Sequence, residues 1–236
     1  IMLQQTQVER VIPFYKKFIA RFPAPAVLVR ASQRDVLELW RGLGYNRRAL
    51  YLKRAADIVV REHAGRVPHD ISALEALPGV GHYTARAVAA FAWDAREVFI
   101  ETNIRRVYIH FFFARREVVR DKEIVGMIQK TLPKRNICEW YWALMDYGAL
   151  RLKRVHNPNH KSVSYAPQSK FLASQRYARA KVLRYAMEKK SITVGDIEKN
   201  FKEDVHCAGH DAGKILDVLA RDGFIERRKT KWFVVE

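Results

Sequence analysis

Leu77-Pro78-Gly79-Val80-Gly81 lies between two segments of helical spacing, and its reading decides the fold. The apolar positions before it predict a short helix near Ile71–Leu77, and those after it predict a helix over His82–Trp93. Two glycines two residues apart let the backbone turn tightly and leave consecutive N–H groups pointing outward at the start of the second helix. Such an elbow grips a phosphate without reading base sequence. Pro78, Gly79, Val80, Gly81, His82 and Thr84 are therefore the candidate phosphate-binding residues. The alternative is an ordinary glycine turn joining two helices.

Outward from the elbow the periodicity stays helical. Toward the N-terminus, Val8, Val11, Ile12, Tyr15, Phe18, Ile19 and Phe22 share one helix face, and Phe22-Pro23-Ala24-Pro25 reads as a stop. A short helix near Asp35–Trp40 runs into Gly42-Leu43-Gly44, and a longer one continues to His63. Toward the C-terminus, helices are expected near Asn103–Ala114, Asp121–Leu132 and Asn136–Leu150. Almost nothing alternates as a strand would, so this region is all-α, spanning residues 1–152. Residues 153–170 carry Lys153, Arg154, Lys161 and Lys170, two prolines and no acid; they read as a basic linker lying near nucleic acid or as a solvated loop. Residues 171–236 form a further module. A long amphipathic helix runs to Lys190, Thr193 and Asp196 form a capping box for a second, and His210–Asp222 forms a third. Phe224–Glu226 and Trp232–Val235 flank a basic turn as a hairpin. Three helices and a hairpin are the layout of a winged helix-turn-helix, which serves DNA or protein contacts.

Charge limits the partner. Lys and Arg outnumber Asp and Glu by 43 to 25, a formal charge of +18, which points to a polyanion because basic side chains release counterions from phosphates. Residues 171–236 hold 14 basic and 10 acidic side chains, so most of the excess, and most of the expected DNA affinity, sits in residues 1–170. No apolar run reaches the ~20 residues that span a bilayer, and no signal peptide is visible. The chain is expected to be intracellular and DNA-associated, in the cytoplasm or nucleoid of a prokaryote, with no membrane partner, and to act as a monomer. Its two cysteines, Cys138 and Cys207, cannot make a four-thiolate cluster and are expected to be reduced and structural.

Four motifs recur in a familiar order: Ile1-Met2-Leu3-Gln4-Gln5-Thr6-Gln7-Val8, then Leu39-Trp40-Arg41-Gly42-Leu43-Gly44-Tyr45, then Leu77–Gly81, then Asn103–Val107. Across roughly residues 1–150 they closely resemble the helix–hairpin–helix (HhH-GPD) DNA glycosylases, and among these the MutY-type adenine DNA glycosylases. The resemblance implies a two-lobed helical fold and a base flipped out of duplex DNA into a pocket between the lobes. Gln5 would then fill the vacated space beside Gln4, and Tyr45 would wedge into the stack, where an aromatic ring replaces part of the lost stacking. Glu101 falls where the family places the aspartate that stabilises the cationic sugar. It keeps the charge with one more methylene; its other reading is an acid at a helix N-terminus. The family's general-acid glutamate immediately precedes the Ile-Met-Leu-Gln-Gln run, outside the 236 residues. Tyr83 stands where strand-cleaving relatives carry a Schiff-base lysine, which implies a monofunctional enzyme that attacks with water. Asp146, in Ala143–Gly148, matches a position beside the site; its other reading is buried structural support.

Three departures bear on substrate and cofactor. Many members hold an iron–sulfur cluster through four cysteines after the Met-Asp-x-Gly segment; residues 150–170 have none, so no cluster is expected and no other metal or cofactor. Trp142 stands where adenine-specific members usually have glutamine. The C-terminal module is expected to be a winged helix rather than the β-rich domain that recognises 8-oxoguanine. Gly65-Arg66-Val67-Pro68 and the hairpin's Gly-x-Tyr-Thr also resemble thymine/uracil mismatch glycosylases. The expected partner is duplex DNA with a mismatched or damaged base. The expected activity is excision of adenine opposite 8-oxoguanine or guanine; the alternatives are thymine or uracil excision, and a catalytically impaired DNA-binding protein.

Overall fold

The computed structural model describes residues 1–152, 157–167 and 169–236. In chain order the helices are α1 (Val8–Arg21), α2 (Pro25–Arg30), α3 (Gln33–Trp40), α4 (Arg47–Glu62), α5 (Ile71–Ala76), α6 (His82–Trp93), α7 (Thr102–Phe112), α8 (Asp121–Thr131), α9 (Ile137–Asp146), α10 (Gln175–Glu188), α11 (Val194–Lys202) and α12 (Ala212–Arg221). Two strands follow, β1 (Ile225–Arg228) and β2 (Lys231–Val234). The chain divides into two compact units, one made of residues 1–67 with 169–236 and the other of 68–168.

The first unit joins both ends of the chain around one core. Phe18 of α1, Leu37 and Trp40 of α3 and Leu50 of α4 are buried in the same cluster as Val182 and Leu183 of α10, Leu216 of α12 and Phe224. Ser32, Ser174 and Asp211 cap α3, α10 and α12 by accepting backbone N–H groups. The capping box expected at Thr193 and Asp196 opens α11. α2 starts inside the proline run that reads as a stop: Pro25 sits at its first position, where a fixed φ and a missing N–H cost nothing. β1 and β2 pair antiparallel from Ile225↔Val234 to Arg228↔Lys231, and Ile192 bridges to Trp232. Polar contacts tie the late helices to the early ones. The Asp222 carboxylate, almost fully buried, takes ion pairs from both Arg47 and Arg179. Gln33 Nε2 donates to the Gly223 carbonyl at 2.8 Å.

The second unit packs α6–α9 around Phe99, Ile104, Tyr108, Ile124, Ile128 and Tyr141. Alanines at 85, 87, 89 and 90 form the buried face of α6, small enough for close approach of its neighbours. α9 continues through a wide turn at Tyr147–Arg151. In the stretch read as a linker, Lys153 and Arg154 lie outside the described residues. Its described part, 157–167, is folded: Pro158–Lys161 form a short 3₁₀ turn in which Pro158 and Asn159 are buried. Asn159 Nδ2 donates to the Thr102 carbonyl at 3.1 Å, and Val119 pairs with Ser162 in a short parallel bridge. No helix among the described residues is long and apolar enough to cross a membrane.

Candidate functional site

In the second unit the elbow is built as its glycines require. Gly79 adopts φ +77°, a conformation that costs a side chain dearly, and the Val80 N–H closes the turn on the Leu77 carbonyl at 3.0 Å. Gly81 is the N-cap of α6 and has no side chain with which to accept the first-turn amides. Pro78, Gly79, Val80 and Thr84 are half-buried, whereas Gly81 and His82 are exposed. The elbow thus lies at the surface, with the positive end of α6 behind it. Glu75 holds it from the side, pairing with Arg86 and lying 3.1 Å from His82 Nδ1.

Glu101 is the N-cap of α7. Its Oε1 accepts the amides of Asn103 at 2.6 Å and Ile104 at 2.7 Å, while Oε2 has a 3.4 Å contact with Asn103 Nδ2. Burial raises the carboxyl pKa, and these amides with Arg105 and Arg106 offset part of the rise. The reading as an acid at a helix N-terminus holds: the helix terminus fixes one oxygen and leaves the other lightly engaged. Tyr83, beside it, has its hydroxyl pKa pushed up to about 12, first by burial and then by the Glu101 charge, although 38% of the residue stays open. That tyrosine is neutral at neutral pH. Its ring meets Phe99 edge-on at 5.6 Å, and Phe99 stacks on Tyr141 at 4.0 Å. The Tyr141 hydroxyl in turn donates to the Glu97 carbonyl at 2.8 Å, so a buried aromatic stack aligns the segment leading into Glu101.

The start of α7 is pressed from a second side. A Cβ at Gly148 would overlap the Asn103 carbonyl, so only glycine lets the turn after α9 approach this closely. Arg106 Nη1 bridges the two elements, donating to the Gly148 carbonyl at 2.6 Å and to Asn103 Oδ1 at 3.3 Å. Asp146 is exposed at the end of α9, so it is not the buried support that one reading made it. Trp142 is 54% exposed and stacks on Phe91 at 6.3 Å, so its place is a surface shelf rather than the core.

In the first unit, Gln4, Gln5 and Tyr45 are organised by a residue that sequence reading passes over. Arg48 is buried, and its guanidinium donates to the carbonyls of Ile1 (3.2 Å), Met2 (2.7 Å), Gln4 and Gly44 (3.0 Å), and to Thr6 Oγ1 at 3.0 Å. Its Nε reaches the Tyr45 carbonyl at 3.4 Å. Desolvation lowers its pKa to about 10, which leaves it charged at neutral pH. One cation thereby ties the glutamine segment to the glycine loop before Tyr45. Gln5 and Tyr45 both adopt left-handed backbone, φ +55° and +51°, an uncommon state for side chains of their size. Gln5 is exposed, and Tyr45 is half-buried with Arg48 and Arg176 over its ring at 5.2 and 5.8 Å.

Comparison with known proteins gives the family. The family model for HhH-GPD superfamily base excision DNA repair protein matches residues 1–144. The chain belongs to this superfamily. An adenine DNA glycosylase of Mycobacterium tuberculosis (strain H37Rv) is 42% identical over 154 residues, covering 63% of this chain and 50% of that protein. An adenine DNA glycosylase of Rattus norvegicus is 43% identical over 108 residues, covering 45% of this chain and 21% of that protein. The HhH-GPD chain thus spans about half the length of the bacterial relative it matches. Among solved structures, a thermostable thymine-DNA glycosylase superposes with a TM-score of 0.61 at 25% identity, over 68% of this chain and 75% of that one. A non-covalent endonuclease III–DNA complex gives 0.59 at 21% identity over 66% and 72%, a likeness of fold.

The iron–sulfur cluster of many superfamily members does not fit the donors present. Cys138 lies in the second unit and Cys207, buried, in the first, so this HhH-GPD chain does not offer the four thiolates such a cluster needs.

Proposed function

We propose that this chain is a monofunctional DNA N-glycosylase that removes a mispaired adenine from duplex DNA. The observation that carries the reading is Glu101: a carboxylate held by two main-chain amides, partly desolvated, with one oxygen lightly engaged, beside a neutral tyrosine. As the glycosidic bond breaks, its electron pair leaves with the base and the sugar becomes an oxocarbenium ion. A fixed carboxylate in a low-dielectric setting stabilises that cation without having to reorganise. Water then adds to C1′ and releases a proton, leaving free adenine and an abasic sugar. The departing base needs a proton, and the resemblance assigns the donor to a glutamate immediately before Ile1. Tyr83 cannot form an imine, so no β-elimination of the strand follows.

The elbow at 78–81 would bring a backbone phosphate to the uncapped first-turn amides of α6, His82 and Thr84 would flank it, and the net charge of +18 would supply sequence-independent affinity for duplex DNA. Gln5 and Tyr45 would hold the extruded state. The donor set supports catalysis without an iron–sulfur cluster. The order α10, α11, α12, β1, β2, with Ile192 paired to Trp232, supports a winged helix-turn-helix arrangement at residues 171–236.

A second reading, thymine or uracil excision, is favoured by Trp142 in place of the usual glutamine and by the likeness to a thymine-DNA glycosylase. Labelled duplexes carrying A·8-oxoG, A·G, T·G or U·G, incubated with protein and then heated in alkali, separate the readings. Cleavage of the adenine duplexes is expected. Cleavage of T·G or U·G alone would replace adenine by thymine or uracil, and tight binding without cleavage would leave a DNA-binding protein.

A further inference from the structure

Tyr45 has a left-handed backbone, a state that is unfavourable for a bulky residue and persists only where its surroundings determine it. Arg48 and the Trp40 indole, which donates to the Gly44 carbonyl at 3.1 Å, fix the loop's main chain. They set the direction of the Cα–Cβ bond, and Arg48 also lies over the Tyr45 ring at 5.2 Å, but neither is bonded to the hydroxyl. The hydroxyl end of the side chain is held from the far end of the sequence. Arg176, in the first turn of α10, donates from Nη1 to Tyr45 Oη at 2.8 Å, and its guanidinium also lies over the ring. Its other terminal nitrogen, Nη2, donates to the Ser169 carbonyl at 2.8 Å and to Ser169 Oγ at 3.0 Å. Both arms of the guanidinium are therefore engaged, which restrains the side chain. The start of α10 is itself fixed by the Ser174 cap, and α10 is rooted in the shared core through Val182 and Leu183.

We infer that Arg176 is a positioning residue for Tyr45, and that residues 169–236 serve base extrusion by holding the wedge side chain ready rather than only by touching DNA. A tyrosine ordered before DNA arrives loses less side-chain entropy on entering the stack. An arginine with both arms engaged would have to break those bonds to meet a phosphate. The inference rests on the proposed role of Tyr45 as the residue that enters the stack.

The test uses the full chain and a duplex with 2-aminopurine next to the mispair, whose fluorescence reports unstacking in a stopped-flow mixer. Arg176→Ala and Tyr45→Phe should each slow the unstacking phase roughly tenfold, the usual scale for a hydrogen bond to a charged group. The double variant should be no slower than the slower single one. The salt dependence of binding to undamaged duplex should not change, whereas loss of a phosphate contact would lower its slope by about one. Tyr45→Phe removes only one oxygen and guards against a folding defect in Arg176→Ala. If Tyr45→Ala abolishes unstacking while Arg176→Ala and Tyr45→Phe behave as wild type, the inference is overturned and the wedge role survives. Additive effects, or a lower salt slope for Arg176→Ala, overturn it in favour of direct DNA contact. Normal unstacking by Tyr45→Ala removes the wedge role and the inference together.

Discussion

The two units secure their key side chains in opposite ways. Glu101 is held by atoms two and three residues further along its own helix, so its placement is a local consequence of where α7 begins. Tyr45 is held by Arg48 three residues on and by Arg176, more than a hundred residues away. The contrast suits the proposed tasks. A carboxylate that must meet a developing charge gains from a rigid backbone support, whereas a side chain that must enter a base stack is steadied by groups that can let go.

The contrast can be broken most directly at Glu101. Glu101→Gln should keep the cap shape and lose the charge, lowering single-turnover excision by roughly 10²–10³-fold. Duplex affinity in a gel-shift titration should stay within about twofold; unchanged turnover would remove the residue from the chemistry. The raised pKa gives the same proposal a sign. Protonation removes the needed charge, so the excision rate should fall as pH drops, through a midpoint above the ordinary glutamate value of about 4.3. A midpoint at or below that value would contradict burial as the dominant influence.

In the other unit, Arg48→Met should strip the carbonyls of Met2, Gln4 and Gly44 of their shared donor and cost about 3 kcal/mol, read as a lower urea midpoint. Base unstacking should fall with it, since the glutamine segment and the Tyr45 loop lose their common anchor. A variant as stable as wild type would show that water satisfies these carbonyls. Gly148→Ala is milder: the new methyl must push the start of α7, at about 1–3 kcal/mol. Excision should fall more than affinity, and equal losses would argue that the strain spreads through the whole unit. Gly79→Ala should have the smallest effect, weakening binding to undamaged duplex several-fold through the strained turn while leaving the excision rate of bound substrate alone. A change in that rate would mean the elbow does more than anchor a phosphate.

What was legible in the sequence follows the same division. The elbow and the capping box at Thr193 are short-range patterns that stand where their spacing puts them, and Glu101, which the family resemblance singles out, stands at the helix start of its other reading. α2 was hidden because Pro25 reads as a breaker when seen from Phe22 and as a starter when seen from Val27. Arg48 and Arg176 look like solvated faces of basic helices; only the fold turns one inward and brings the other to Tyr45. Asn159 and Ser162 read as linker polarity, yet both are buried against α7 and α8, where Ser162 Oγ donates to Asp121 at 3.2 Å. Side chains that act across long sequence separations leave no periodic trace.

The shared core of the first unit has a consequence for how the molecule is made. Residues 1–67 leave the ribosome well before Val182, Leu183 and Phe224, which share a core with Trp40 and Leu37. At about 5–20 residues per second, that apolar surface waits roughly 6–30 s for closure, while 68–168 carry a core of their own. The middle of the chain is thus positioned to mature first, and the early helices are the stretch on which a holding chaperone would act.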